Sequence, residues 1–506
     1  MKTTGKILHS LFSILFLAFT GLVLYECRVK TAKLQQSSRV PVFAALVLIA
    51  VFLFVFLLRK IRVPAWTQIL ISVGSCISVR AVCLRCIGPY MTMKYDYLTA
   101  LESARGVFAP KEALFTHWGF YPRLLSVWMR IFGDSYPSAV WFNIMTCACS
   151  VFLIYLICRK LREETVFAFA ASFLFAVWPS YALYTCVTSN EHLAILFMLL
   201  SAFLMLCAAA SNSWKFWCLI VFSGISAGIS DCFKQFSPVF AIAVFAAGFV
   251  AWLLRENNGR NSGPIRFPAL ILSVLLLFGS SVLTHNAALK YLERYLGQPV
   301  CKGATAHFLW IGLNSASGGM WSSETGMKVY EFAEAFDNDY DRVMDELWSL
   351  LREDLAAHPE SLKPTIEHKM EVDWAADTGV TDWVVSLYQD QALPHKDLIY
   401  AAGSGYYIAL MLLIAAGVLI DAAKVWKGAG TGLMYFRLVC FGYALLLVLS
   451  EAQGRYQLVL FPCFAILAAA GAGDVLLPFP VKRNALCEQN KQTRRPKTLR
   501  ERRTFS

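Results

Sequence analysis

The chain has 506 residues, 57% hydrophobic and 16% charged, with a mean hydropathy of +0.53. Soluble globular domains carry about 25% charged residues, so the composition excludes an ordinary water-soluble enzyme and indicates an all-α polytopic membrane protein. The net charge of +12 is crowded into the tail, at Lys482, Arg483, Lys491, Arg494, Arg495, Lys497, Arg500, Arg502 and Arg503. After a last span such a tail belongs on the cytoplasmic side, with membrane lipids rather than nucleic acid as its partner.

The first apolar run, Ile7 to Leu24, follows Lys2 and Lys6 and lacks an Ala-x-Ala-like cleavage site, so it reads as an uncleaved span entering from the cytoplasm. Further spans are expected near 41–58, 66–84, 137–157, 166–185, 191–210, 215–231, 237–254, 268–285, 399–420, 433–450 and 456–473. That is roughly twelve, each near the ~20 residues a crossing needs. Basic residues mark the inner loops at Arg59, Lys60 and Arg62, at Arg159, Lys160 and Arg162, at Arg255, Arg260 and Arg266, and at Lys424 and Lys427. The loop holding Arg28, Lys30, Lys33 and Arg39 departs from this rule, so residues 1–65 read as a transmembrane hairpin ahead of the core. The core is then 66–285 with an external loop at 85–136, followed by an extracytoplasmic segment 286–398, C-terminal membrane helices 399–475 and a cytoplasmic tail 476–506.

In the extracytoplasmic segment, Phe332, Phe336, Tyr340, Val343, Leu347, Leu351 and Leu355 fall at helical spacing, predicting one helix from Val329 that stops before Pro359. The preceding Gly, Ser, Asn and aromatic mixture, His307 to Trp321, reads as binding-loop chemistry. Metal is not expected. Cys83 and Cys86 form a lone Cys-x-x-Cys, the other cysteines sit mostly in apolar runs, and Asp337-Asn338-Asp339-Tyr340-Asp341 lacks the Gly and closing Glu of a calcium loop.

Under this topology Asp96, Glu191, Asp231, Lys234, Glu451 and Arg455 collect at the external face. Charges at span ends are costly unless they face a cavity or a partner. Lys234 and Arg455 are also residues that snorkel to headgroups, and Glu191 is one that favours a helix N-terminus. Together they suit transfer of a sugar from a lipid phosphate. The leaving phosphate needs Arg or Lys, and the acceptor needs a carboxylate as general base. Trp118, Tyr121, Trp310 and Trp321 are placed to stack on sugars or to form an interfacial aromatic belt. A polymerase or ligase of lipid-linked glycans would use a similar set. A transporter or flippase would instead place its charges near the bilayer midplane, often in inverted repeats.

The order Arg80, Asp96-Tyr97, Ala100, Gly106, Tyr121-Pro122, Phe132-Gly133 and Asn143 is followed by Trp178-Pro179-Ser180, Glu191, Gly224, Gly228 and Lys234. Then come Asn314 with Gly318-Gly319, Glu451 with Gln453-Gly454-Arg455-Tyr456, and Pro462. Over 66–475 this resembles the GT-C superfamily of polyprenyl-phosphate-sugar-dependent glycosyltransferases, in the branch holding protein O-mannosyltransferases and the lipid A aminoarabinose transferase. The resemblance implies a GT-C-type bundle with juxtamembrane helices in the first external loop and a small, mainly helical extracytoplasmic domain. It implies an inverting transfer in which Asp96 is catalytic and Lys234 and Arg455 hold the donor phosphate. Arg80, Tyr97, Tyr121, Glu191, Asn314, Glu451 and Tyr456 complete the implied substrate-binding set. The donor, a polyprenyl-phosphate sugar, is a substrate, and no cofactor is implied. The acceptor stays open among protein, lipid and envelope polymer. The chain departs from the pattern in its extra N-terminal apolar pair and in having no Asp-x-Asp or Asp-Asp at the acidic site, which favours the metal-independent branch. No Asn-x-Ser/Thr acceptor site and no lumenal retrieval signal occur, which leans toward a bacterial plasma membrane.

Overall fold

Helices occupy every stretch where an apolar run predicts a span. The computed structural model describes residues 2–33, 38–107, 111–211, 214–254, 267–375, 377–426 and 432–476. The basic tail from Lys482, and Arg255, Arg260, Arg266 and Lys427, lie outside these. The membrane helices are α1 (Lys2–Ala32), α2 (Arg39–Lys60) and α3 (Ala65–Ile87), then, after three short helices, α7 (Tyr136–Leu161), α8 (Thr165–Ala176), the short α9 (Pro179–Tyr184), α10 (Glu191–Ala209), α11 (Trp214–Asp231), α12 (Ser237–Leu254) and α13 (Phe267–Leu296). The set closes with α20 (Lys396–Val425), α21 (Met434–Leu449) and α22 (Phe461–Leu476). Among the described residues nine helices are long and apolar enough to cross a membrane; α8 and α21 are shorter apolar helices, and α11, expected as a span, is not among the nine.

The loop between α3 and α7 holds α4 (Tyr95–Ala104), α5 (Lys111–Leu114) and α6 (His117–Phe132). α6 is amphipathic, with Trp118, Tyr121, Leu125 and Met129 buried and Leu124, Val127, Ile131 and Phe132 exposed, the pattern of a helix lying in an interface. The segment between α13 and α20 forms a helical domain of α14 (Thr305–Leu313), α15 (Ser323–Gly326), α16 (Lys328–Ala335), α17 (Tyr340–Ala357), α18 (Leu362–Trp374) and α19 (Thr378–Leu387). An isolated antiparallel bridge, Met91 to Tyr388, ties this domain to the first loop.

Two expectations are corrected. The span read as 166–185 is broken, because Pro179 has no amide hydrogen to continue α8 and favours a helix start instead. The break is buried in protein, where irregular backbone at membrane depth is tolerated. Arg80 donates to the freed Ala176 carbonyl at 2.6 Å and to Thr185 Oγ1 at 3.1 Å. Asp377 accepts from Trp178 Nε1 at 3.1 Å and from Ser180 Oγ. The helix predicted through 329–355 is also two helices. Asp337 and Asn338 take left-handed φ of 50° and 62°, which these short polar side chains tolerate, and the Asp339 side chain caps α17 by accepting from Arg342 N. α17 ends at Ala357, ahead of Pro359, as expected.

Packing joins distant parts of the chain. Gly224 and Gly228 on α11 face α13 so closely that an added Cβ would stand 2.3 Å from Leu277 O and 2.4 Å from Ser281 O, the small-residue contact typical of membrane helices. α22 is buried along almost its whole length between α8 and α20, with Phe461 stacked on Trp178 at 4.0 Å. α1 and α2 both pack along α20. At one end of α1, Arg437 on α21 and His9 meet Asp421 on α20 at 2.8 and 3.6 Å.

Candidate active site

Four connecting segments converge between the membrane helices and the α14–α19 domain. The first is the start of α4, where Asp96 sits half-buried in the first turn and a helix dipole favours a carboxylate. The second is the turn after α9, whose Thr188 donates to the Tyr97 carbonyl at 2.9 Å and whose Ser189 donates to the Glu191 carboxylate. The third joins α11 to α12. There Asp231 accepts from the Phe236 and Ser237 amides at 2.7 and 2.9 Å, and so fixes the loop carrying Lys234. The fourth is Glu451–Arg455, between α21 and the turn that opens α22.

Glu191 is 2% exposed and holds two cations. Its Oε1 lies 3.7 Å from an Arg455 guanidinium nitrogen and 4.0 Å from Lys234 Nζ. Arg455 is stitched in place. It donates to the Tyr97 hydroxyl, to Tyr184 at 3.5 Å and to Gln453 Oε1 at 2.7 Å, with Trp383 of α19 beside its guanidinium at 4.7 Å. Gln453 in turn donates to Glu451 at 2.6 Å, and the Tyr456 hydroxyl donates to the other Glu451 oxygen at 3.0 Å. Lys234 Nζ sits 3.7 Å over the face of that same Tyr456, and its side chain remains 23% exposed. Arg455 is thus the framed cation and Lys234 the accessible one.

Charges reach across this space. Asp96 acts electrostatically on Lys234, on His117 and on Tyr330. Burial pushes the Lys234 ammonium down to about 8, against the attraction of Glu191. Burial also pushes His117 down to about 3, with Lys234 adding to the effect, so its imidazole is neutral. Burial raises the Glu451 carboxyl and the Tyr97 phenol. Among the described residues no three His, Cys, Asp or Glu side chains come together as metal ligands.

Of the residues singled out in the sequence, Asp96, Tyr97, Glu191, Lys234, Glu451, Arg455 and Tyr456 are brought together. Three are engaged elsewhere. Arg80, fully buried, serves the α8–α9 break. Tyr121 donates to Asn143, whose amide bridges the Thr185 and Val187 carbonyls beneath the Glu191 turn. Asn314 accepts from the Ala316 and Ser317 amides, an Asx turn that shapes its own loop. His117, Tyr184, Ser189 and Trp383 belong to the site but were not foreseen. His117 follows the aromatic Phe115 and precedes Trp118, and Trp383 comes from α19, so neither stands out as a charge at a span end.

One more residue secures the cluster. Lys369 of α18 is 1% exposed and donates to three carbonyls, Gly312 at 3.0 Å, Val448 at 2.6 Å and Ser450 at 2.5 Å. It clamps the start of the Glu451–Arg455 loop to the α14–α19 domain. Gly454 and Gly379 complete that contact, since a Cβ on Gly454 would stand 2.7 Å from Gly379 Cα.

Residues 120–285 match the sequence model of the family described as dolichyl-phosphate-mannose-protein mannosyltransferase. No curated protein matches the chain. Among solved structures, the Archaeoglobus fulgidus oligosaccharyltransferase tethered by a disulfide to an acceptor peptide containing the NVT sequon aligns with 81% of this chain and 55% of its own, at 14% identity and a TM-score of 0.33. Its apo form aligns with 88% of this chain and 61% of its own, at 13% identity and a TM-score of 0.32. The chain therefore spans less than two thirds of that protein in either form. The family match takes in Glu191 and Lys234, together with Tyr121-Pro122, Phe132-Gly133, Trp178-Pro179, Gly224 and Gly228, while Asp96 and Arg455 lie on either side of it. Over residues 120–285 the chain is thus similar to the dolichyl-phosphate-mannose-protein mannosyltransferases, which bears out its resemblance to the GT-C glycosyltransferases.

Proposed function

We propose that this protein is a membrane glycosyltransferase that moves a sugar from a polyprenyl-phosphate donor to an acceptor at the extracytoplasmic face, with inversion at the anomeric carbon. The observation that carries the reading is the Lys234 ammonium, held between Glu191 and the Tyr456 ring, partly open and within the field of Asp96. In the proposed reaction Asp96 takes the proton of the acceptor hydroxyl or amine as that atom bonds to the anomeric carbon. The bond from that carbon to the phosphate oxygen breaks, and the phosphate stays on the polyprenol with its charge met by Lys234. Arg455, framed by Tyr97, Tyr184, Gln453 and Glu191, orients the site and adds positive potential. A cation facing a leaving phosphate stabilises the charge that develops in the transition state.

The test is transfer by the purified, reconstituted protein from labelled polyprenyl-phosphate sugars, with the labelled product identified to name the acceptor. Asp96→Asn is expected to insert and melt like the parent, to bind donor, and to transfer about 100-fold or more slowly, the range for loss of a general base. Full activity in that variant removes Asp96 as the base. Vesicles that move the lipid sugar across the bilayer without forming a glycosidic product would overturn the transferase reading itself.

A further inference from the structure

A second cationic site lies away from this cluster. A cavity of about 250 Å³ opens between α4, α6 and the end of α13, and Arg105, Arg123, Arg130, Ser126 and Tyr295 are among its walls. Two of the guanidinia are held from the side. Arg105 pairs with Asp134 at 2.8 Å. Arg123 pairs with the buried Glu112 at 2.8 Å and lies 4.2 Å from the centre of the Tyr295 ring. Ser103 fixes Glu112 in turn, at 2.6 Å. Arg130 is exposed at the rim. Arg123 turns its Nε and Nη1 into the protein and so lends the cavity charge, whereas Arg105, held through its Nε, and Arg130 keep their guanidinia exposed, which suits phosphate oxygens.

The position of the cavity indicates where such a phosphate would come from. Asp134 lies just before α7 begins at Tyr136, and Tyr295 lies in the last turn of α13. The cavity therefore sits at the ends of two apolar helices, at headgroup depth. On α6 the exposed Leu124, Val127, Ile131 and Phe132 stand beside the face that bears Arg123, Ser126 and Arg130, so acyl chains against one face would leave a headgroup beside the other. We propose that this cavity binds the phosphate of an anionic lipid headgroup. It uses none of the residues of the proposed active site. His117 and Arg130 are thirteen positions apart on one helix, roughly 20 Å at 1.5 Å per residue.

The experiment uses the full-length protein in detergent micelles with equal phosphatidylglycerol and phosphatidylcholine, and reads retained lipid by native mass spectrometry. The parent is expected to retain the anionic lipid preferentially. Each exposed arginine removed should weaken that preference about fivefold, so R105Q/R130Q approaches parity between the two lipids. R130K, which keeps the charge but loses the fork, should fall between the parent and R130Q. Sugar transfer measured without anionic lipid should be the same in parent and variants, so a failed lipid result leaves the active-site reading untouched. An undiminished preference for phosphatidylglycerol in R105Q/R130Q overturns the proposal. Inorganic phosphate should displace the lipid only weakly; full displacement would overturn the lipid source and assign the site to soluble phosphate.

Discussion

At Lys234 two opposing effects set the protonation state. Burial favours the neutral amine, the Glu191 carboxylate favours the ammonium, and burial wins far enough to bring the group down to about 8. Below that pH the side chain is charged and, in the proposed reaction, attracts the donor phosphate. Above it the charge, and with it the attraction, is lost. The expected outcome is a kcat/KM for the donor that falls as pH rises through about 8. Lys234→Met, slower throughout, should show no such basic limb, and a limb that persists in that variant would assign the titration to another group. Neutral His117 beside Asp96 was not legible from the sequence, because nothing in Phe115-Thr116-His117-Trp118 distinguishes a site imidazole from an interfacial aromatic. Lys234, Glu191, Glu451 and Arg455 were legible for the opposite reason. Charge next to twenty apolar residues is expensive, and so it is conspicuous.

The broken α8–α9 element gives Arg80 a role that its position at the end of an apolar run did not reveal. A single guanidinium serves the Ala176 carbonyl and the Thr185 hydroxyl, and so sets the path of the turn that ends in Glu191. Arg80→Met is expected to leave these groups without their donor, at about 1–3 kcal/mol for each buried group stranded. This should appear as a lower thermal unfolding midpoint in detergent. A variant that melts normally yet no longer binds donor would return Arg80 to the phosphate. The twelve-residue α8 illustrates the limit of pattern reading at this scale. Hydropathy sees one apolar run through Pro179 and cannot tell a helix that ends there from one that merely kinks. Likewise the apolar spacing of 329–355 runs straight through Asp337-Asn338, and only the backbone shows that those residues turn the chain.

For the molecule as a whole, the membrane bundle was legible because each span advertises itself by composition. How the α14–α19 domain meets the bundle was not, since contacts such as Trp383 to Arg455 join segments that no local pattern connects. The Gly379–Gly454 contact is the point where that junction is most exposed to test. Gly454→Ala inserts a methyl where backbone faces backbone, an overpacking of about 1–3 kcal/mol. It is expected to push α19 and Trp383 away from Arg455 and to lower transfer at least about tenfold, while membrane insertion is retained. Transfer assays on the reconstituted variant check this; parental rates would show that the junction does not govern the site. Lys369 carries a last consequence. By holding three carbonyls it fixes the Glu451–Arg455 loop before any donor arrives. Ordering a backbone costs about 1–2 kcal/mol per residue, and here that entropy is surrendered on folding, so the proposed lipid-linked donor would meet a receptor already frozen in its working shape.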